Sequence, residues 1–341
     1  MKIQISALDT LTFGVGKPSV WGEDTFGAGM FPPFPSVVRG AARAGWLHEN
    51  GSFDIADMEN DPTKDCAVTE YALLLNGIPH FPVPADHVWS EDDKTLIRCE
   101  LQENDGLSSL RTPFQLWVNA DGKVIPAERR YISRSTLQNY LDGETITESV
   151  PLSDYITPES RIGVYKERGT GAVKQGMLYR SPLTRLVGTG RNTAALAASI
   201  SGADTVSRLT RFGGENKVAD FTAYGGEISP NPAIDEDGGF KLYLATPAIF
   251  KNGYLPELPV PAELLTAAVY GCDSAGGFDM KAGRPKQTRR AVRAGSVYYY
   301  KLTENTAENR GIVTSLHAAS ISDYSREDGC GICYIGKVRG N

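Results

Sequence analysis

The chain has 341 residues, 41% hydrophobic and 22% charged, which is room for one large domain or two ordinary ones with cores of their own. A formal net charge of −6 and a pI near 5.4 exclude a protein that coats nucleic acid through a broadly positive surface, although a local basic groove remains open. No run approaches the roughly 20 apolar residues of a membrane span, and five cysteines, with Cys66, Cys99 and Cys272 far apart, argue against a disulfide framework.

Ile3 to Leu8 alternates in the manner of a first strand, closed by Asp9 and Thr10. Such a start lacks the apolar stretch and small-residue cleavage site of a secretory signal, so a cytoplasmic protein is expected. The glycine-rich segment from Phe13 to Gly29 reads as a long loop. In FPPFPSVVRGAARAG, Phe31 to Gly45, the prolines Pro32, Pro33 and Pro35 hold the chain extended, and Ser36 is expected to cap the helix that follows. Helical spacing places Arg39 and Arg43 on one face and Val38, Ala42 and Trp46 on another. The N–H groups at that helix start, with Lys17 and Arg39 nearby, form a candidate phosphate seat.

From Asn50 to Ser160, strand-like runs at Tyr71 to Leu75 and Gln115 to Val118 sit among Pro and Asp-Gly turns, and Arg134 to Leu141 has the pattern of a short helix. A soft division is expected near Pro151, giving units 1–150 and 151–341 that share an interface, because no Gly/Ser or charged linker interrupts the chain. Phe240 to Ala245 alternates as a strand. Pro261 to Tyr270 reads either as a helix begun by proline or as a helix running into a strand. Lys281 to Arg293 contains no acidic residue and leads into the aromatic run Ser296 to Tyr300. Its cations Lys281, Arg284, Lys286, Arg289, Arg290 and Arg293 suit RNA, since charges grip phosphates while rings stack on bases; the plain alternative is a solvated loop.

Cys330 and Cys333 form one CxxC without a second pair or an HxxxH, so no metal or other cofactor is expected, and the surrounding Ile332, Tyr334 and Ile335 favour buried cysteines in a strand. In the same segment Gly329, Gly331 and Gly336 would let a backbone lie close against a partner such as an RNA phosphate. Neither a Walker loop nor a Rossmann turn is present. His48, His80, His87 and His317 lack a catalytic context, His48 reading as a solvated helix-end residue, and Asp220, Asp235, Glu236 and Asp237 lack the spacing of a calcium loop.

Taken together, several blocks resemble a known family. LDTLTFGVGKPSVWGEDTFGAGMFPPFPSVVRGAARAG, SRIGVYKERGTGAVKQGMLYR (Ser160 to Arg180), RFGGENKVADF (Arg211 to Phe221), KLYLATPAIFKNGYLP (Lys241 to Pro256), AVRAGSVYYYK and GCGICYIGKV are similar, in that order, to the third subunit of type III-B CRISPR effector complexes, the Cmr complexes. The likeness spans residues 3 to 338; the overall acidity and the CxxC depart from it. It implies an α+β fold of two packed ferredoxin-like (RRM-type) domains with long inserted loops and a C-terminal glycine-rich loop. It also implies a non-catalytic RNA-binding protein that holds the 5′ handle of the crRNA and meets target RNA only indirectly. Expected neighbours are the large cyclase/polymerase-like subunit and the backbone subunits, with Ser36, Arg39 and Arg43 facing the handle or a neighbour. Sister families suggest the rival, a metal-independent endoribonuclease using His48 or Tyr179; a protein-only scaffold is the third reading.

Overall fold

Strands outnumber helices throughout the chain, and the class is mixed α and β. The computed structural model describes residues 1–14, 29–51, 61–104, 106, 111–167, 169–279 and 283–338. An eight-stranded antiparallel sheet runs in the order Val150–Pro151, Arg130–Ser133, Ile78–Pro82, Ala67–Leu75, Ala194–Ser201, Lys2–Ala7, Val218–Ala223, Leu209–Arg211. A four-stranded antiparallel sheet follows, ordered Ala262–Ala268, Val297–Leu302, Gly239–Leu244, Cys333–Gly336. The larger sheet thus takes strands from both sides of Pro151, and the change of sheet falls between Ala223 and Gly239.

Helix α1 spans Pro35–Glu49. Proline occupies its first turn, where a missing N–H costs nothing, and Phe34 is the capping residue without a side-chain bond. Ser36 therefore lies inside the first turn and does not cap, a correction to the sequence expectation: the proline moves the helix start one residue earlier. The buried stripe is Val38, Ala41, Ala42 and Gly45, while Trp46 is half-buried and donates its indole N–H to Asp204 Oδ1 at 3.1 Å. A Cβ on Gly45 would stand 2.7 Å from Val206 Cγ1, so this face tolerates nothing larger. Helix α2, Arg134–Leu141, falls on the residues expected of it, with the Ser133 hydroxyl accepting from the Thr136 N–H as its cap. Helix α3 is Ala307–Ser315.

Pro261 to Tyr270 contains the strand Ala262–Ala268 and no helix. Pairing with the aromatic strand Val297–Leu302, Leu264 opposite Tyr300 and Ala268 opposite Val297, overrides the helical propensity of its alanines and leucines.

All six residues of Gly239–Leu244 are buried, because the smaller sheet is covered on both faces. Phe240, Leu242, Leu244, Tyr298 and Tyr300 form one core with Val313 of α3. Tyr243, Tyr299 and Tyr334 point the other way and join the core of the larger sheet and α2. Edge-to-face contact between Phe81 and Tyr334, centroids 5.5 Å apart, and the Tyr243 hydroxyl donating to the Pro82 carbonyl at 2.6 Å tie the two sheets together.

That junction encloses charge. Asp86, His87 and Lys241 are fully buried. Asp86 accepts from the Tyr140 hydroxyl at 2.6 Å, from the Tyr299 hydroxyl, and meets His87 Nδ1 at 2.8 Å. Lys241 Nζ sits 3.6 Å over the Tyr140 ring and donates to the Tyr140 carbonyl at 3.3 Å. Burial by itself would raise the Asp86 carboxyl, but His87, Lys241 and the Tyr140 hydroxyl outweigh it and hold the group far below the usual carboxylate range. For Lys241 burial is the larger influence and brings the ammonium down to about 7 against the pull of Asp86.

Candidate nucleic-acid interface

The basic run folds as the return strand of a two-stranded ribbon. Cys272–Ala275 pairs with Arg289–Val292, and further out Phe278–Asp279 pairs with Arg284–Pro285. Arg284, Lys286 and Arg290 are exposed and have no acidic partner among the described residues. Phe278, 54% exposed, lies beside them opposite Pro285. Arg289 is half-buried, its guanidinium 3.7 Å over the Tyr324 ring. At the foot of the ribbon, Arg293 donates to Asp273 Oδ1 at 2.9 Å and stands 3.5 Å from Glu128, so it acts as a structural clamp. Lys281 falls outside the described residues, as does Lys17.

Arg39 and Arg43 are placed differently from the ribbon cations. Arg39 donates to the Cys66 carbonyl at 2.7 Å, to Asp328 Oδ1 at 2.9 Å and to the Lys64 carbonyl at 3.3 Å. Arg43 donates to Thr63 Oγ1 at 2.7 Å and pairs with Asp61. Burial alone would raise the Asp61 carboxyl, but Thr63 and Arg43 outweigh it and hold the group below its ordinary range. Both arginines bind α1 to segments of the same chain.

The three glycines sit in the interior, each facing protein. A Cβ on Gly329, whose φ is +86, would come within 2.9 Å of Pro35 Cβ and Val68 Cβ. On Gly331 it would meet Ser322 N at 2.5 Å, and on Gly336 the Cα of Leu141 at 2.8 Å. The neighbours of these glycines are parts of the same chain: the start of α1 and the strand Ala67–Leu75 at Gly329, Ser322 at Gly331 and the end of α2 at Gly336. Cys330 and Cys333 are buried free thiols, and burial pushes Cys330 up to about 12 and Cys333 higher, far from the reactive thiolate.

His48 is exposed in the last turn of α1, and the side chain of Tyr179 lies outside the described residues. His317 is fixed as a neutral tautomer, Nε2 donating to the Pro230 carbonyl at 2.9 Å and Nδ1 accepting the Ile335 N–H at 3.1 Å.

A second ribbon has no counterpart among the elements expected from the sequence. Thr157–Lys166 and Val173–Arg185 pair antiparallel, Ile162 opposite Arg180, with a bulge between Val164 and Lys166. Ile162 and Val173 are 58% and 57% exposed, and Arg161 and Lys166 are exposed beside them. Apolar and basic side chains held clear of any core suit bases and phosphates together. The sequence signal was the alternation within Ser160 to Lys166, which resembles a solvated loop because Ile162 and Val164 are exposed.

A family model described as CRISPR-associated protein (Cas_Cmr3) matches residues 3–338. No curated protein matches the chain. Among solved structures, the chain is similar to one in a cryo-EM structure of the Type III-B Cmr-beta bound to cognate target RNA, with 15% identity, a TM-score of 0.49, and 88% of this chain and 86% of that chain covered. A second structure of that assembly, with AMPPnP as well, gives the same values: 15% identity, TM-score 0.49, coverage 88% and 86%.

Proposed function

The chain belongs to the Cas_Cmr3 family of CRISPR-associated proteins, and from that membership we propose that it is a non-catalytic RNA-binding subunit of a type III-B effector complex. In this reading it caps the 5′ handle of the crRNA and docks the large cyclase/polymerase-like subunit and the backbone subunits. The family match over residues 3–338 carries the reading. The exposed Arg284, Lys286 and Arg290, without an acidic partner among the described residues, support it by offering phosphate contacts that fix register, while Phe278 offers a stacking surface.

The ferredoxin-like descent of both units belongs to the same proposal. In the smaller sheet the strands stand in the order second, third, first, fourth, with α3 between third and fourth, the order of a split β-α-β unit. In the larger sheet Lys2–Ala7, Ala67–Leu75, Ala194–Ser201 and Val218–Ala223 stand in the same relation, with α1 after the first and a long insertion after the second.

The test is to co-express the chain with its genomic neighbours and a repeat-spacer array, purify on a tag placed on this chain, and map ultraviolet crosslinks. Crosslinks from residues 284–290 to a common RNA 5′ end are expected; an assembly without RNA, or crosslinks scattered along the spacer, would overturn the reading. Incubating the complex with repeat RNA in a chelator tests the non-catalytic part, which fails if specific cleavage occurs and disappears in His48→Ala.

A further inference from the structure

The strand Gly239–Leu244 points Phe240, Leu242 and Leu244 into the core shared with α3, so Lys241 and Tyr243 face the larger sheet. A lysine is a rare occupant of such a position, because its ammonium gives up its water there. Strand register sets Tyr299 directly opposite it on one side, and on the other Gly336, which lies close against Leu141 of α2. Lys241 therefore stands in the seam between the two sheets.

Groups from both sides of that seam converge on it. Asp86, His87, Arg98 and Tyr140 come from the side of the larger sheet, Tyr299 and Asp235 from the side of the smaller. Asp86 is the acceptor the two sides share: the Tyr140 hydroxyl reaches it from α2 at 2.6 Å, and the Tyr299 hydroxyl reaches it from the smaller sheet. Arg98 crosses in the opposite direction and donates to the Val338 carbonyl at 2.9 Å, while Asp235 accepts from the Val338 N–H at 2.9 Å.

This cluster is short of partners. Lys241 has three N–H donors and makes one hydrogen bond among the described residues, to the Tyr140 carbonyl at 3.3 Å, and the buried His87 Nε2 has none. Each missing bond costs free energy only while the seam is closed, since water supplies it once the seam opens. We propose that Lys241 and Asp86 form a proton-linked latch: the two sheets part along this seam while each stays folded, and each parting hydrates Lys241 and takes up a proton.

Burial is the largest influence on Lys241 and brings it to about 7 against Asp86 and Asp235, with Arg98 adding to the downward push; in water the ammonium returns to its ordinary 10.5. The open seam therefore binds more protons than the closed one between these values, and closure strengthens as pH rises from about 7 toward 10.5. The other titrating neighbours act elsewhere. Tyr140 and Tyr299 are held well above 10, Asp86 far below the carboxylate range, and Cys99, which burial raises to about 11, opposes Lys241 only as pH nears the thiol's ordinary 9.0.

The test is residue-resolved hydrogen exchange on the full chain at pH 7.5 and 8.5, corrected for the intrinsic rate. The Ala85 and Lys337 amides bond across the seam, to the Gly295 carbonyl at 2.8 Å and the Leu141 carbonyl at 2.7 Å, whereas amides of the central strand Ala194–Ser201 report unfolding of the larger sheet itself. The seam amides should exchange at least about tenfold faster than the central strand. Their opening should fall about eightfold from the lower to the higher pH in the wild type, and less than about twofold in Lys241→Met. Tyr299→Phe keeps both charges and loses one hydroxyl, so it should raise seam opening about fivefold and leave the pH slope unchanged. One common rate for seam and central strand would mean that the sheets part only by unfolding, and the latch would be wrong. So would a wild-type opening that ignores pH, or a slope that survives in Lys241→Met. Should Lys241→Met not fold, the wild type and Tyr299→Phe decide, and a Tyr299→Phe seam no looser than the wild type overturns the latch.

Discussion

The junction between the sheets and the basic ribbon use the same charged residue types in opposite ways. At the junction and around α1, each charge has a partner in the chain: Asp86 with His87, two tyrosine hydroxyls and Lys241, and Arg39 with Asp328 and two carbonyls. Along the ribbon, Arg284, Lys286 and Arg290 have none among the described residues. A buried charge is costly unless it is fully satisfied, so removing one partner there is felt by the fold. An exposed charge is nearly neutral to the fold and is left for a ligand.

The largest effect is expected at Asp86. Replacing it by alanine strips the Tyr140 and Tyr299 hydroxyls of their shared acceptor and Lys241 of its countercharge inside the core, and Asp86→Ala should lower the unfolding free energy by about 3–5 kcal/mol in urea titration. A loss under about 1 kcal/mol would show that the junction does not depend on its charge. Arg39→Ala comes next, at about 2–3 kcal/mol, because its pair with Asp328 is only slightly exposed, 12% and 11%, and three acceptors, the Asp328 carboxylate and the Cys66 and Lys64 carbonyls, lose their donor. Once the variant is shown to be folded, its RNA affinity should equal that of the wild type. A selective affinity loss would return Arg39 to the RNA-facing role the sequence suggested.

What the sequence made legible, and what it hid, follows the same contrast. Strands with an apolar alternation or a buried run, such as Ile3 to Leu8 and Phe240 to Ala245, announce themselves because burial writes a period into the residues. Helix α1 was readable from its prolines. The neighbours of Lys2–Ala7 were not, since Ala194–Ser201 and Val218–Ala223 arrive from far along the chain and pair by a register no local pattern encodes. Charge was visible, but its partner was not. Arg39 and Arg290 look alike in sequence, and only the fold brings Asp328 to one and no acidic partner among the described residues to the other. The outer part of the long ribbon Thr157–Lys166 with Val173–Arg185 was hidden because Ile162, Val164 and Val173 stand exposed there instead of on a buried face.

A smaller effect is expected on the junction side from acid. Burial holds His317 below its ordinary value of 6.5, with its two backbone hydrogen bonds opposing this. The unfolded chain therefore takes up the proton first as pH falls. The stability contributed by neutral His317 is fully present above 6.5 and is lost progressively as pH falls from there through the lower folded value. Protonation also removes the acceptor for the Ile335 N–H. The melting temperature should fall between pH 8 and pH 5, and the part due to this residue should vanish in His317→Asn. An identical pH dependence in that variant would assign the acid sensitivity to other groups.

The ribbon should give the smallest response in stability and a measurable one in binding. Arg290→Ala and Lys286→Ala remove exposed cations with no partner among the described residues, so the urea midpoint should stay where it is. If each cation neutralises one phosphate of a single strand, each variant should flatten the slope of log affinity against log salt by about 0.7, and the pair by about twice that. The weakening should be uniform across RNA sequences, because a phosphate contact carries no base information. Arg293→Ala supplies the internal control. It lies at the foot of the same ribbon but clamps Asp273 and Glu128, so it should shift the midpoint and leave the salt slope alone. If Arg290 and Arg293 behaved alike in both measurements, the division between charges that hold the fold and charges that await a ligand would not run where the ion pairs place it.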